Sequence, residues 1–296
     1  MLKCFKILII FAMVFPFVVG CANSTDEGTE DNNNSNIEDN KDVTITFGVT
    51  PWTTTIPPTK IAKLILEDMG YTIKEISADA GGVYAGLSTG DIDVFMDAWL
   101  PDMHRNYLEQ FGDNIDDVSV SYPDGELGWV IPTYVEDVNS LEDIKGNEGM
   151  FENNIYGIEE GAGMTATSRE MIEAYDLDLE YVASSEGGML AQASKIIQNE
   201  KPVIFLGWRP HPMFVNYDLK VLEDPQEFFK TSEVHILTNN GLKEKAPEAY
   251  EFLSNWSIDV GEIEKMIVEN DERDSEEVAR EWIDENQDLV DAMLGE

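Results

Sequence analysis

Beyond residue 42 the chain alternates strand-like and helix-like segments, and that alternation restricts it to an α/β architecture before any single residue is weighed. The run 43–49 is rich in β-branched and aromatic residues. After Pro57-Pro58, the segment 60–69 sets Ile61, Leu64, Ile65 and Met69 on one helical face, and Gly70 ends it. Strand, short helix and strand follow over 71–77, 85–88 and 92–96. A longer extended run covers 128–135, and Ser140-Leu141-Glu142-Asp143 has the form of a helix start. A second series repeats the pattern, with strands over 154–158, 179–183 and 202–206 and helices over 165–175 and 188–199. Residues 232–238 are extended again. Three helical patterns close the chain, at 247–256, 260–270 and 276–294. Two such α/β units predict two lobes, with 128–135 and 232–238 as the crossings. One lobe then comprises 43–132 with 237–296, and the other 133–236. Ligands of open α/β sheets bind beyond the carboxyl ends of the strands. Here those ends would face a central cleft.

Residues 1–42 stand apart from this pattern. Lys3 and Lys6 precede an apolar run over 7–19, too short for a comfortable membrane span, and Val18-Val19-Gly20-Cys21 follows. This arrangement resembles a bacterial lipoprotein signal peptide over 1–20, which implies that Cys21 is acylated and begins the mature chain. Cys4 falls in the removed segment, so no cysteine remains for a disulfide or a thiolate metal site. In the stretch 22–42 only Ala22 and Ile37 are apolar, which predicts a disordered, acidic tether.

The charge balance excludes whole classes of partner. The chain carries 59 acidic and 19 basic residues. Without Lys3 and Lys6 it keeps 17 basic residues and a formal net charge near −42. Nucleic acid and anionic membrane surfaces both require positive charge, and a strongly anionic substrate is disfavoured for the same reason. Such acidity fits a surface bathed in salt, where screening weakens self-repulsion. The sequence offers no catalytic signature. It has three histidines, His104, His211 and His235, and no H-E-x-x-H, G-x-S-x-G or glycine-rich phosphate loop. No EF-hand spacing or other metal-ligand pattern is present, and no cofactor is expected.

The tryptophans carry more information. Trp52, Trp99 and Trp208 each follow a predicted strand and lie near a proline or glycine, where a cleft would be lined. Trp129, Trp256 and Trp282 lie inside predicted strands or helices and read as packing residues. Three convergent indoles suit a cation that has no N–H to donate, because an aromatic face attracts positive charge without a formal anion. A trimethylammonium group is such a cation.

The segments GVTPW, DAWLPDMH, GIEEGAGM and GWRPHPMF resemble those of glycine betaine-binding proteins, the substrate-binding lipoproteins of compatible-solute ABC importers. The resemblance runs from about residue 43 to 295. It implies a two-lobed, type II-like periplasmic-binding-protein fold that closes on ligand held in the interlobe cleft. It also implies a three-indole box of Trp52, Trp99 and Trp208. The ligand carboxylate would be held by His104 and by the backbone amides of Gly163 and Met164. The glycines of 161–164 allow close backbone approach, and the loop opens a predicted helix whose free N–H groups favour an anion. His211 reads as structural support for the third indole. Pro212 stands where some members carry an aromatic residue, which would reshape the rim. The partners implied are glycine betaine or proline betaine, an ABC permease with its ATPase, and the membrane through a lipid anchor at the outer face of the cytoplasmic membrane. Choline, carnitine or ectoine on the same fold, or a sensory rather than a transport role, are the alternatives. A secreted hydrolase with a two-lobed cleft would need a nucleophile or acid–base pair that the sequence does not show.

Overall fold

A computed structural model describes residues 42–101, 103–230 and 232–296. Residues 1–41, with Lys3, Lys6 and Cys21, lie outside the described residues. The chain begins with β1 (Thr44–Val49), α1 (Ile56–Asp68), β2 (Thr72–Ser77), α2 (Ala80–Thr89) and β3 (Val94–Leu100). Next come α3 (Arg105–Phe111) and the long β4 (Ile115–Pro132). The second series is β5 (Asn154–Gly157), α4 (Gly163–Ala174), β6 (Glu180–Ala183), α5 (Glu186–Ile197) and β7 (Ile204–Arg209). The one-turn α6 (Met213–Asn216), β8 (Leu219–Val221) and β9 (Ser232–Asn239) follow. The described chain ends in α7 (Leu242–Lys245), α8 (Pro247–Ser254), α9 (Val260–Asn270), α10 (Ser275–Glu285) and α11 (Gln287–Leu294).

The strands form one mixed sheet in the order β2-β1-β3-β9-β4-β7-β5-β6, with β8 also on β4. It reads as two half-sheets sharing β4. Residues 115–125 of β4 pair with β9, whereas Glu126 to Val130 pair with β7 and Val130 to Pro132 with β8. The strand therefore changes half-sheet between Gly125 and Glu126. All of β9 pairs on the first side, from Gly125↔Ser232 to Val94↔Thr238. The return crossing thus precedes Ser232. Both crossings fall earlier than the expected boundaries at 132/133 and 236/237. The run 128–135 stands out because Gly128 to Pro132 belong to the continuously buried end of β4; the preceding residues mix polar with apolar and buried with exposed and carry no clear period.

Local signals explain most element bounds. Pro57 and Pro58 sit inside the first turn of α1 rather than before it. A first-turn proline loses no helical hydrogen bond, and its ring presets the right φ. The expected short helix at 85–88 extends back to Ala80, capped by the Asp79 side chain on Gly82 N–H, and stops at Gly90 with φ 79°. The helix start at Ser140 is a true capping box, yet only a 3-10 turn over Leu141–Ile144 follows it. The final pattern divides at Asn286, whose Nδ2 donates to the Trp282 carbonyl at 2.8 Å and competes with helix continuation. α10 buries Val278, Ala279, Trp282 and Ile283 and packs on α1, with ion pairs from Lys60 and Lys63 to Glu276 and from Arg280 to Asp68 along the seam. Trp129, Trp256 and Trp282 are buried, as expected of packing residues. Trp129 Nε1 donates to Ser168 Oγ at 2.9 Å, and Trp256 Nε1 to the Ser121 carbonyl at 2.9 Å.

Candidate ligand-binding site

One cavity lies between the two half-sheets, lined by Trp52, Thr54, Trp99, Met103, His104, Leu127, Ile158, Ala162, Gly163, Met164 and Trp208. All six residues singled out in the sequence as a binding set line it. Its empty space, open mouth included, is about 350 Å³, at the small end for ligand pockets. Among the described residues, none of its lining side chains is a carboxylate.

The indoles reach the cavity by different routes. Trp52 follows β1 and caps a 3-10 turn over Thr53–Thr55, with Thr55 N–H donating to its carbonyl. Trp99 and Trp208 do not follow their strands; each is the penultimate residue of one, β3 and β7. Both strands run farther toward the cleft than their apolar cores suggested, so these two indoles leave the sheet itself. Trp99 packs edge-on against Tyr122 at 6.3 Å. A Cβ at Gly125 would lie 2.5 Å from the Trp99 ring and 2.9 Å from the Ser232 carbonyl, so only glycine lets β4 pass this indole. Trp208 meets the His211 ring edge-on at 4.9 Å.

His104 precedes α3, a helix without buried residues that left no periodic trace in the sequence. Its backbone N–H donates to the Trp99 carbonyl at 3.1 Å, and its Nδ1 accepts the Trp99 N–H at 3.2 Å. An accepting Nδ1 fixes the neutral tautomer with its proton on Nε2. The ring stacks against Trp52 at 5.8 Å and meets Tyr84 edge-on at 5.4 Å. Burial holds its pKa down to about 3, so the imidazole stays neutral at physiological pH. Tyr84 is fully buried behind it and packs there.

Gly163 and Met164 open α4, whose N-cap, Ala162, supplies no side-chain cap. A helix start of this kind favours an anion. A Cβ at Gly163 would sit 2.2 Å from the Met103 carbonyl oxygen, so glycine allows α4 to press against the first half. Thr165 Oγ1 donates toward the carbonyls of Ile158 and Glu159 and bonds the Tyr181 hydroxyl at 2.7 Å, which ties the end of β5 to the helix.

Hydrogen bonds cross the cleft. Trp52 Nε1 donates to Glu159 Oε1 at 2.8 Å, Thr53 N–H to Glu186 Oε2 at 3.1 Å, and Tyr107 Oη to the Gly161 carbonyl at 2.6 Å. Glu186 Oε1 also lies 3.1 Å from His211 Nε2, and His211 Nδ1 accepts from Met213 N–H at 3.0 Å. His211 therefore buttresses Trp208, whereas His235 lies away from the cavity, 2.9 Å from Asp117. Sequence reading missed Glu159, Glu186 and Asp97. Asp97 alone left a signal, as the one charged residue of the apolar stretch VFMDAWL. Among the described residues no group of His, Cys, Asp and Glu could hold a metal ion, and no helix is long and apolar enough to cross a membrane.

Comparison with known proteins fits this geometry. Residues 43–285 match the model of the substrate-binding domain of ABC-type glycine betaine transport systems. The glycine betaine/carnitine transport binding protein GbuC of Listeria monocytogenes is 36% identical over 141 residues, which is 46% of this chain and 47% of GbuC. The match thus spans about half the length of that relative. Lactococcal OpuAC, solved closed with glycine betaine, superposes with a TM-score of 0.81 at 29% identity, covering 86% of this chain and 100% of that one. A choline-binding protein of an ABC transporter, solved with choline, gives 0.80 at 27%, covering 85% and 91%. The half-sheets are accordingly the lobes of a two-lobed binding-protein fold. The chain belongs to the family of substrate-binding domains of ABC-type glycine betaine transport systems.

Proposed function

We propose that the protein captures glycine betaine, or a close betaine such as proline betaine, and delivers it to an ABC permease driven by a cytoplasmic ATPase. One observation carries the reading: three indoles and a set of hydrogen-bond donors line the same cavity, and no carboxylate joins them among the described residues. The indoles suit the trimethylammonium end. His104, neutral with its proton on Nε2, and the Gly163 and Met164 amides suit the carboxylate end. Each cation–π face contributes about 0.5–2 kcal/mol. Three such faces with two or three charge-assisted hydrogen bonds reach about micromolar affinity after the costs of association. The zwitterion carries no net charge, so the acidic surface does not repel it over distance.

The likeness to a choline-binding protein favours choline as the second reading. Choline has no carboxylate and would leave the donors facing a hydroxyl. Calorimetric titration of the purified chain with each ligand decides between them. Saturation by glycine betaine at micromolar concentration, with choline at least tenfold weaker, supports the betaine reading; the reverse order overturns it. We read the protein as a binder without catalysis, which its match to a family of transport substrate-binding domains supports. We further propose acylation at Cys21 and residence at the outer face of the cytoplasmic membrane, with 22–42 as the tether. Incorporation of labelled fatty acid that disappears in Cys21→Ser tests the anchor.

A further inference from the structure

We propose that Asp97 is a positioning residue that locks the two first-lobe walls of the cage together and supplies, from behind them, negative charge to a quaternary ammonium in the cavity. This inference rests on the betaine reading. Asp97 lies within β3, fully buried, where every other residue is apolar. A carboxylate in such a place is costly without partners. Its Oδ2 accepts from Thr54 Oγ1 at 3.0 Å and Thr55 Oγ1 at 2.7 Å. Its Oδ1 accepts from Trp99 Nε1 at 3.1 Å and Tyr122 Oη at 3.3 Å. The Thr50 hydroxyl bonds Thr55 behind it.

Thr54 and Thr55 belong to the turn that Trp52 caps, and Trp99 is the second wall. One carboxylate therefore sets the spacing of two cage faces, and Thr54 and Trp99 both line the cavity. All four donors are neutral, so none of them cancels the charge. Burial pushes the Asp97 pKa up to about 7, against the four hydrogen bonds that lower it. A cation in the cavity favours the ionised form. The bound protein then holds fewer protons than the free one, so affinity rises with pH through neutrality and binding releases a proton.

The groups facing Asp97 stay uncharged over that range. Burial raises the hydroxyls of Tyr122 on β4 and Tyr84 on α2 well above the usual tyrosine value, and His104 is neutral. Across the cleft stand Glu159 on Trp52, and Glu186 with His211. A variant separates their contribution from that of Asp97.

The test is calorimetric titration with glycine betaine between pH 6 and 9, in two buffers of different protonation heat, on the wild-type chain and Asp97→Asn. The wild type is expected to bind about threefold to tenfold more tightly at pH 8 than at pH 6 and to release a proton near pH 7. Asp97→Asn is expected to bind at least about tenfold more weakly at pH 8.5, with a flat pH profile and no proton release. A profile that persists in the variant, or equal affinity at pH 8.5, overturns the inference. If the variant does not fold, the wild type decides: betaine binding with no proton release overturns it. A wild type that binds no betaine at any pH overturns the functional reading itself, and this inference falls with it.

Discussion

The two lobes contribute unequally to the cavity. The first carries two indoles, Trp52 and Trp99, together with His104, and bonds them within itself through Asp97 and the Trp99 backbone. The second carries one indole, Trp208, and a helix start, and its carboxylates Glu159 and Glu186 reach across to the first lobe. One wall is bonded within its own lobe; the other is bonded across the cleft. Glu159 holds an indole of the opposite lobe, so one face of the cavity is tied to a bond across the cleft.

This contrast can be broken at several points. Gly163→Ala is expected to have the largest effect, because a Cβ 2.2 Å from the Met103 carbonyl meets backbone that cannot turn aside. Betaine affinity should fall by about a hundredfold or more while the apo melting temperature hardly moves, the cost being one of closure. Titration and thermal melting together check it. Trp99→Ala comes next. It removes one cation–π face and leaves Asp97 short of a donor, so affinity should drop about tenfold or more, and by more than in Trp208→Ala. Equal losses in the two variants, by fluorescence titration, would erase the distinction between the walls.

Glu159→Gln keeps the shape but weakens a charge-assisted bond across the cleft. Stopped-flow mixing should show ligand dissociation about tenfold faster with association little changed. The smallest effect lies far from the cleft. His235 on β9 donates to Asp117 on β4, and that carboxylate raises its pKa. The pair stabilises the fold fully below the unfolded histidine value near 6.5 and loses that contribution as pH rises through the folded value. Asp117→Asn should therefore lower the melting temperature at pH 5.5 and leave it unchanged at pH 9. The half-exposed site limits the effect to about 1 kcal/mol or less.

The candidate site was legible wherever function had left an unusual residue in an ordinary place. Three indoles near proline or glycine, a glycine pair at a helix start and one histidine near Trp99 are visible in a linear chain. The crossing bonds were not legible. Glu159 lies in the GIEEGAGM segment beside a second glutamate, and Glu186 is one more of 59 acidic residues, so residue type alone marked neither as reaching the other lobe. The lobe boundary was misplaced for a related reason. A strand that changes partners midway has no break in composition, because pairing is satisfied by another backbone rather than by a side-chain type.

The sequence by itself determined the α/β class, the helices with an apolar face, and the six residues that the fold brings to one cavity. Periodicity and residue chemistry are local, and local information suffices for them. Only the tertiary structure decided that Trp99 and Trp208 project from strand ends, and that Asp97 binds two cage walls to one carboxylate. It also decided that carboxylates of one lobe hold the other. These arrangements join residues such as Trp52 and Glu159, 107 positions apart, and only the folded chain brings them within hydrogen-bonding distance.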